Sequence, residues 1–138
     1  PRPGGGGSRP GGGGRPGGIC ARDIDEGPFT TSYARDIQPV WTASCTSAAC
    51  HDPGTPAQGL DLTAAVSYRN LVNKLSQQAR RLDLVEPLDP DRSYLWHKLN
   101  DTQRSVGGAG TSMPRGGPLL PQAIRDRIKT WILEGAPG

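Results

Sequence analysis

Cys45-Thr46-Ser47-Ala48-Ala49-Cys50-His51 places two thiols five positions apart, with a histidine directly after the second. Two thiols separated by a short spacer, followed at once by an imidazole, suit covalent attachment of haem. The thiols add across the vinyl groups and the histidine is held beneath the porphyrin as an iron ligand. The usual pattern is C-x-x-C-H. Here Ser47 stands where that pattern has its first cysteine, so the stretch is a C-x4-C-H variant whose spacer must bulge or coil. On this reading Cys45 and Cys50 bind haem c, one per chain, and His51 is an axial ligand.

The chain has one methionine, Met113, in Gly110-Thr111-Ser112-Met113-Pro114. A thioether in a Gly/Pro-rich loop downstream of such a motif is the natural opposite ligand. His97, in Tyr94-Leu95-Trp96-His97-Lys98-Leu99, is the runner-up for that position. The bland readings are a disulfide between Cys45 and Cys50, or a zinc site completed by Cys20 or His97. Methionine also fills gaps in ordinary cores. Asn100-Asp101-Thr102 fits a glycosylation sequon, a short pattern that matches by chance.

The 138 residues suffice for one domain, and they divide by composition. Residues 1–18 contain only Gly, Pro, Arg and Ser, in repeats of RPGGGGS, RPGGGG and RPGG. Such a tail is either a flexible tether or, since no Cβ holds glycine backbones apart, a segment for side-by-side assembly. The second alternative predicts self-association into an oligomer or filament, with Cys20 as a candidate cross-link. Residues 19–138 form the predicted domain. Pro1 is not an initiator residue, which suggests a removed leader.

Leu, Ile, Val and Phe together number 24 of 138 residues, few for an independent core, and a haem would supply the missing apolar bulk. The net charge is +3, and three of the 16 basic residues lie in the tail, leaving 13 basic against 13 acidic residues. A neutral body argues against a nucleic-acid partner. No apolar run approaches the length of a transmembrane segment. Attachment of haem to thiols occurs outside the cytoplasm, and a disulfide implies the same compartment, so an extracellular or cell-surface location is expected.

Periodicity predicts helices and no strands. Ile37, Val40 and Trp41 share one face of a helix reaching Thr46, and Pro39 requires it to start near Asp36. A second helix is predicted over Leu62–Leu75, with Thr63 as N-cap. A third is capped by Asp91 or Ser93 and runs through Leu99. Residues 101–117 form a Gly-rich loop that presents Met113. The last helix has Pro121 in its first turn, Ile124, Ile128, Trp131 and Ile132 on its apolar face, and Gly135 with Pro137 at its end. The fold class is all-α.

Ile37-Gln38-Pro39-Val40-Trp41, the Cys45/Cys50/His51 motif, Gly59-Leu60-Asp61-Leu62, Asp89-Pro90-Asp91-Arg92-Ser93-Tyr94-Leu95, Met113-Pro114 and Trp131-Ile132-Leu133-Glu134-Gly135-Ala136 together resemble the monohaem c-type cytochrome domains of planctomycete and myxobacterial surface proteins. The resemblance spans roughly residues 36–137. It implies a cytochrome c-like helical fold, covalent haem at Cys45 and Cys50, and His51 and Met113 as axial ligands. The function it implies is single-electron transfer without catalytic turnover, since both axial positions are filled. A labile Met113 would instead leave an open site for peroxide or a diatomic gas. The alternative from a different class is a haem-free structural or adhesive filament subunit with a Cys45–Cys50 disulfide.

Overall fold

A computed structural model of the chain describes residues 30–138, of which Thr31–Gly138 form one compact unit. The expectations for residues 1–18 and for Cys20 lie outside the described residues. The elements are helical, and among the described residues there is no sheet, only three isolated bridges. Nor, among them, is any helix long and apolar enough to cross a membrane.

The first helix begins with a wide π turn, Tyr33–Ile37, that runs into α1, Gln38–Ser44. Pro39 has no N–H to donate four residues back, and the backbone before it winds wider, with the Gln38 N–H reaching the Tyr33 carbonyl. Ser32 caps the turn: its hydroxyl accepts from the Arg35 N–H at 3.3 Å, while its own N–H donates to the Asp36 carboxylate at 2.9 Å. The Arg35 guanidinium and that N–H bring the half-buried Asp36 carboxyl down to about 2.

The predicted second helix contracts to five residues, α2, Ser67–Leu71. Thr63 is not its N-cap; its N–H and hydroxyl bind the Asp61 carboxylate at 2.9 and 2.7 Å. Val72 turns extended, Asn73 takes a left-handed backbone at φ 58°, and the chain folds back on itself. The Asn73 N–H then donates to the Val85 carbonyl, and the Leu84 N–H to that of Lys74. Tertiary pairing thus takes the backbone groups that helix continuation would have used.

Asp89 caps a 3-10 turn at Pro90–Arg92 that leads into α3, Tyr94–Leu99. Neither Asp91 nor Ser93 caps α3 through its side chain. The buried Ser93 hydroxyl instead accepts from the Glu86 N–H and donates to the Asp89 carbonyl, both at 2.8 Å. The loop after α3 is pinned to it: the Met113 N–H donates to the Lys98 carbonyl at 2.8 Å, and Lys98 Nζ donates to the Ala109 carbonyl at 3.0 Å.

The final helix, α4, is Gln122–Leu133, with Pro121 at its N-cap and Gly135 beyond its end at φ 100°. Ile128, Trp131 and Ile132 are buried from α4 against Ile37 and Trp41 of the first helix, Leu71 and Leu99. Full burial of each large aliphatic side chain contributes about 1.5–3 kcal/mol. Tyr33 joins these elements through its ring, 5.1 Å from Tyr68 edge-on and 5.3 Å from Trp131. This core fixes α1 and α3 as two walls of the site.

Candidate ligand-binding site

The Cys/His stretch leaves α1 in a tight reversal. Cys45 is the C-cap of α1, with its N–H on the Trp41 carbonyl at 2.8 Å. The His51 N–H returns to the Cys45 carbonyl at 3.0 Å, and Ala49 takes φ 68° to make the turn. A following strap holds the histidine: the Leu62 N–H donates to the His51 carbonyl at 2.9 Å, and His51 Nδ1 lies 2.8 Å from the Leu60 carbonyl. A carbonyl only accepts, so Nδ1 carries the hydrogen and the neutral ring has its lone pair on Nε2.

Cys45, Cys50, His51 and Met113 line a single cavity of about 550 Å³. Trp41, Leu60, Leu62, Leu84, Leu95 and Leu99 give it apolar walls, drawn from α1, the strap, α3 and the segment before α3. The volume falls in the range of pockets for small organic ligands. His97 is not among the lining residues; its ring nitrogens engage Thr102 Oγ1 and the Asp91 carbonyl, each at 2.8 Å.

The haem expectation is corrected here. Among the described residues no group of three or more His, Cys, Asp or Glu side chains converges to hold a metal ion. Cys45 and Cys50 are free, and burial together with the neighbouring Cys50 pushes the Cys45 thiol up to about 11. Cys45 therefore stays a neutral thiol, which counts against the zinc alternative, where a thiolate would be the ligand. The absence of such a group among the described residues overturns haem c and an iron site on His51 and Met113, together with the resemblance to monohaem cytochromes and the cytochrome c-like form of the fold. Single-electron transfer falls with them. The disulfide-linked structural subunit is overturned as well, because Cys45 and Cys50 are unbridged. Among the described residues, an all-α, four-helix arrangement without a sheet is what remains of the fold prediction.

No family model matches the chain, and neither a curated protein nor a solved structure matches it.

Several wall residues escaped the sequence reading: Lys74, Gln78, Tyr94, Lys98 and Arg115 all face the cavity. For Lys98 a local signal existed, since it follows Leu95 by three positions and so shares the inward side of α3. Lys74, Gln78 and Arg115 lie in irregular segments, where periodicity says nothing about direction.

Proposed function

We propose that the Thr31–Gly138 unit is a binding module for a small, mainly apolar molecule, with Cys45, Cys50, His51 and Met113 among the residues that contact it. The observation that carries this reading is the cavity of about 550 Å³, whose walls combine buried aliphatic and aromatic side chains with a few oriented polar groups. Trp41 belongs to its lining and is buried, so an occupant would alter indole emission.

The test is a titration of the full chain with N-phenyl-1-naphthylamine, a neutral apolar fluorophore whose emission rises out of water. Saturable uptake near one per chain is expected, accompanied by quenching of tryptophan emission. Leu84→Trp, which places an indole in the cavity, should abolish uptake while the thermal unfolding midpoint stays near that of the parent. Absence of saturable uptake by the parent chain would sink the reading.

Residues 1–18 are proposed to drive self-association at an extracytoplasmic surface, on the strength of their repeated RPGGGG composition. Sedimentation of the full chain against one lacking residues 1–18 checks the first part, and protease shaving of intact cells the second. A monomeric full chain overturns self-association, and a shaving-resistant one overturns surface exposure.

A further inference from the structure

The charged residues lining the cavity are Lys74, Lys98 and Arg115; no aspartate or glutamate is among the lining residues. Lys74 and Arg115 are exposed, whereas Lys98 is 9% exposed on α3. None of the three is paired with a carboxylate among the described residues, where the ion pair is Arg35–Asp36. Lys98 Nζ spends one N–H on the Ala109 carbonyl at 3.0 Å and lies 5.9 Å from the centre of the Tyr94 ring. Burial and the charge of Arg104 both lower its pKa, and among the described residues no carboxylate is paired with this ammonium.

A second donor points to the same place. The Tyr94 hydroxyl donates to Gln78 Oε1 at 2.7 Å, which leaves Nε2 as the donor end of this amide. A methyl group on Gly110 would lie 3.3 Å from Lys98 Nζ and 3.5 Å from Gln78 Nε2. Two nitrogen donors, one of them cationic, therefore converge over a glycine that offers no side chain of its own. Gln78, Lys98 and Gly110 all line the cavity.

We infer that the ligand of this cavity is an amphiphile with a carboxylate end, received by Lys98 Nζ and Gln78 Nε2 over Gly110, its apolar body lying along Trp41, Leu95 and Met113. The inference deepens the binding role proposed above and rests on it. A carboxylate in this position completes a charge-assisted pair that the fold leaves one-sided. The exposed Lys74 and Arg115 add the long-range attraction that draws an anion to the mouth.

The test displaces N-phenyl-1-naphthylamine from the full chain with three amphiphiles of equal chain length: decanoate, decan-1-ol and decyltrimethylammonium. Decanoate should displace the probe at a concentration about tenfold below decan-1-ol, the gain of one charge-assisted hydrogen bond, and the cationic amphiphile should compete worst. In Lys98→Met the advantage of decanoate over decan-1-ol, both measured against the probe in that same variant, should vanish. Gln78→Leu should reduce it in part, and Lys74→Gln should mainly weaken its salt dependence. Equal displacement by decanoate and decan-1-ol would overturn the inference, as would an advantage that survives both Lys98→Met and Gln78→Leu. Failure of the probe to bind at all would instead remove the binding role itself, and the inference with it.

Discussion

Trp41 Nε1 donates a hydrogen bond to the Tyr33 hydroxyl across 3.1 Å, so a wall of the cavity is tied to the first turn of the domain. The Tyr33 hydroxyl passes its own hydrogen to Ser67 Oγ at 2.6 Å, Ser67 donates to Gln38 Oε1, and Gln38 Nε2 donates to the Leu62 carbonyl at 3.0 Å. Donors and acceptors alternate in one direction from the indole to the strap that carries His51. Each member is buried, so removal of one leaves a neighbour unsatisfied.

Tyr33→Phe interrupts this chain at its second member. It strands the Trp41 N–H and deprives Ser67 of its donor, with an expected loss of about 1–3 kcal/mol for a buried polar group left unpaired. Urea unfolding should show a lower midpoint at unchanged slope. A midpoint equal to that of the parent would show that the chain contributes nothing to stability.

The two motif thiols should differ sharply in reactivity. Cys45 is buried and its thiol is raised to about 11, first by burial and then by Cys50. Cys50 is half-buried. In a Cys20→Ser background at pH 8, iodoacetamide should modify Cys50 first. Cys45 should react roughly a hundredfold more slowly than an ordinary exposed thiol, since the thiolate is the nucleophile. Mass spectrometry of the peptides reads the order, and equal rates would contradict the burial of Cys45.

The same raised pKa links stability to pH. Between the ordinary thiol range near 9 and about 11, the folded chain keeps the Cys45 proton while the unfolded chain loses it. Stability from this group is therefore complete below 9 and declines as pH rises to 11. Tyr33, also raised, acts in the same direction, and Lys98, lowered, acts oppositely. The comparison isolates the thiol: from pH 9 to 11 the parent should lose more stability than Cys45→Val. Parallel curves would refute the linkage.

Gly108 lies against the Tyr94 side chain that orients Gln78. A Cβ there would sit 2.4 Å from Tyr94 Cε1 and Oη and 2.7 Å from the Gln103 carbonyl. Gly108→Ala must displace the loop from α3, with an expected cost of about 1–3 kcal/mol from overpacking. It should also weaken decanoate binding, because the Ala109 N–H donates to the Tyr94 hydroxyl at 3.2 Å and the Ala109 carbonyl accepts from Lys98 Nζ at 3.0 Å. Gly117→Ala, whose nearest neighbour is the Pro114 carbonyl at 4.0 Å, serves as the control and should change neither quantity.

Much of the scaffold was legible because it depends on neighbours in sequence. Ile128, Trp131 and Ile132 fall on one face of any helix built from that segment, and Pro121 and Gly135 bound it by their own backbone chemistry. Pro39 falls in the first turn of α1, although the helical run begins before the expected Asp36, at Tyr33. The proximity of Cys45, Cys50 and His51 follows from a short spacer, and Met113 reaches the same cavity.

What these residues do together was not legible. The C-x4-C-H pattern reads the same whether its side chains converge on a metal or line an organic pocket, because convergence depends on side-chain directions set by packing. The second helix ended at Leu71 because residues 72–85 found hydrogen-bond partners across a reversal, a competition that helical periodicity cannot register. The sequence by itself determined the helical class, the apolar face of α4 and the adjacency of thiols and imidazole, all products of local geometry. Only the tertiary structure decided that Lys98 and Gln78 meet over Gly110 in an acid-free cavity, since that meeting joins segments whose separation in sequence carries no record of their distance in space.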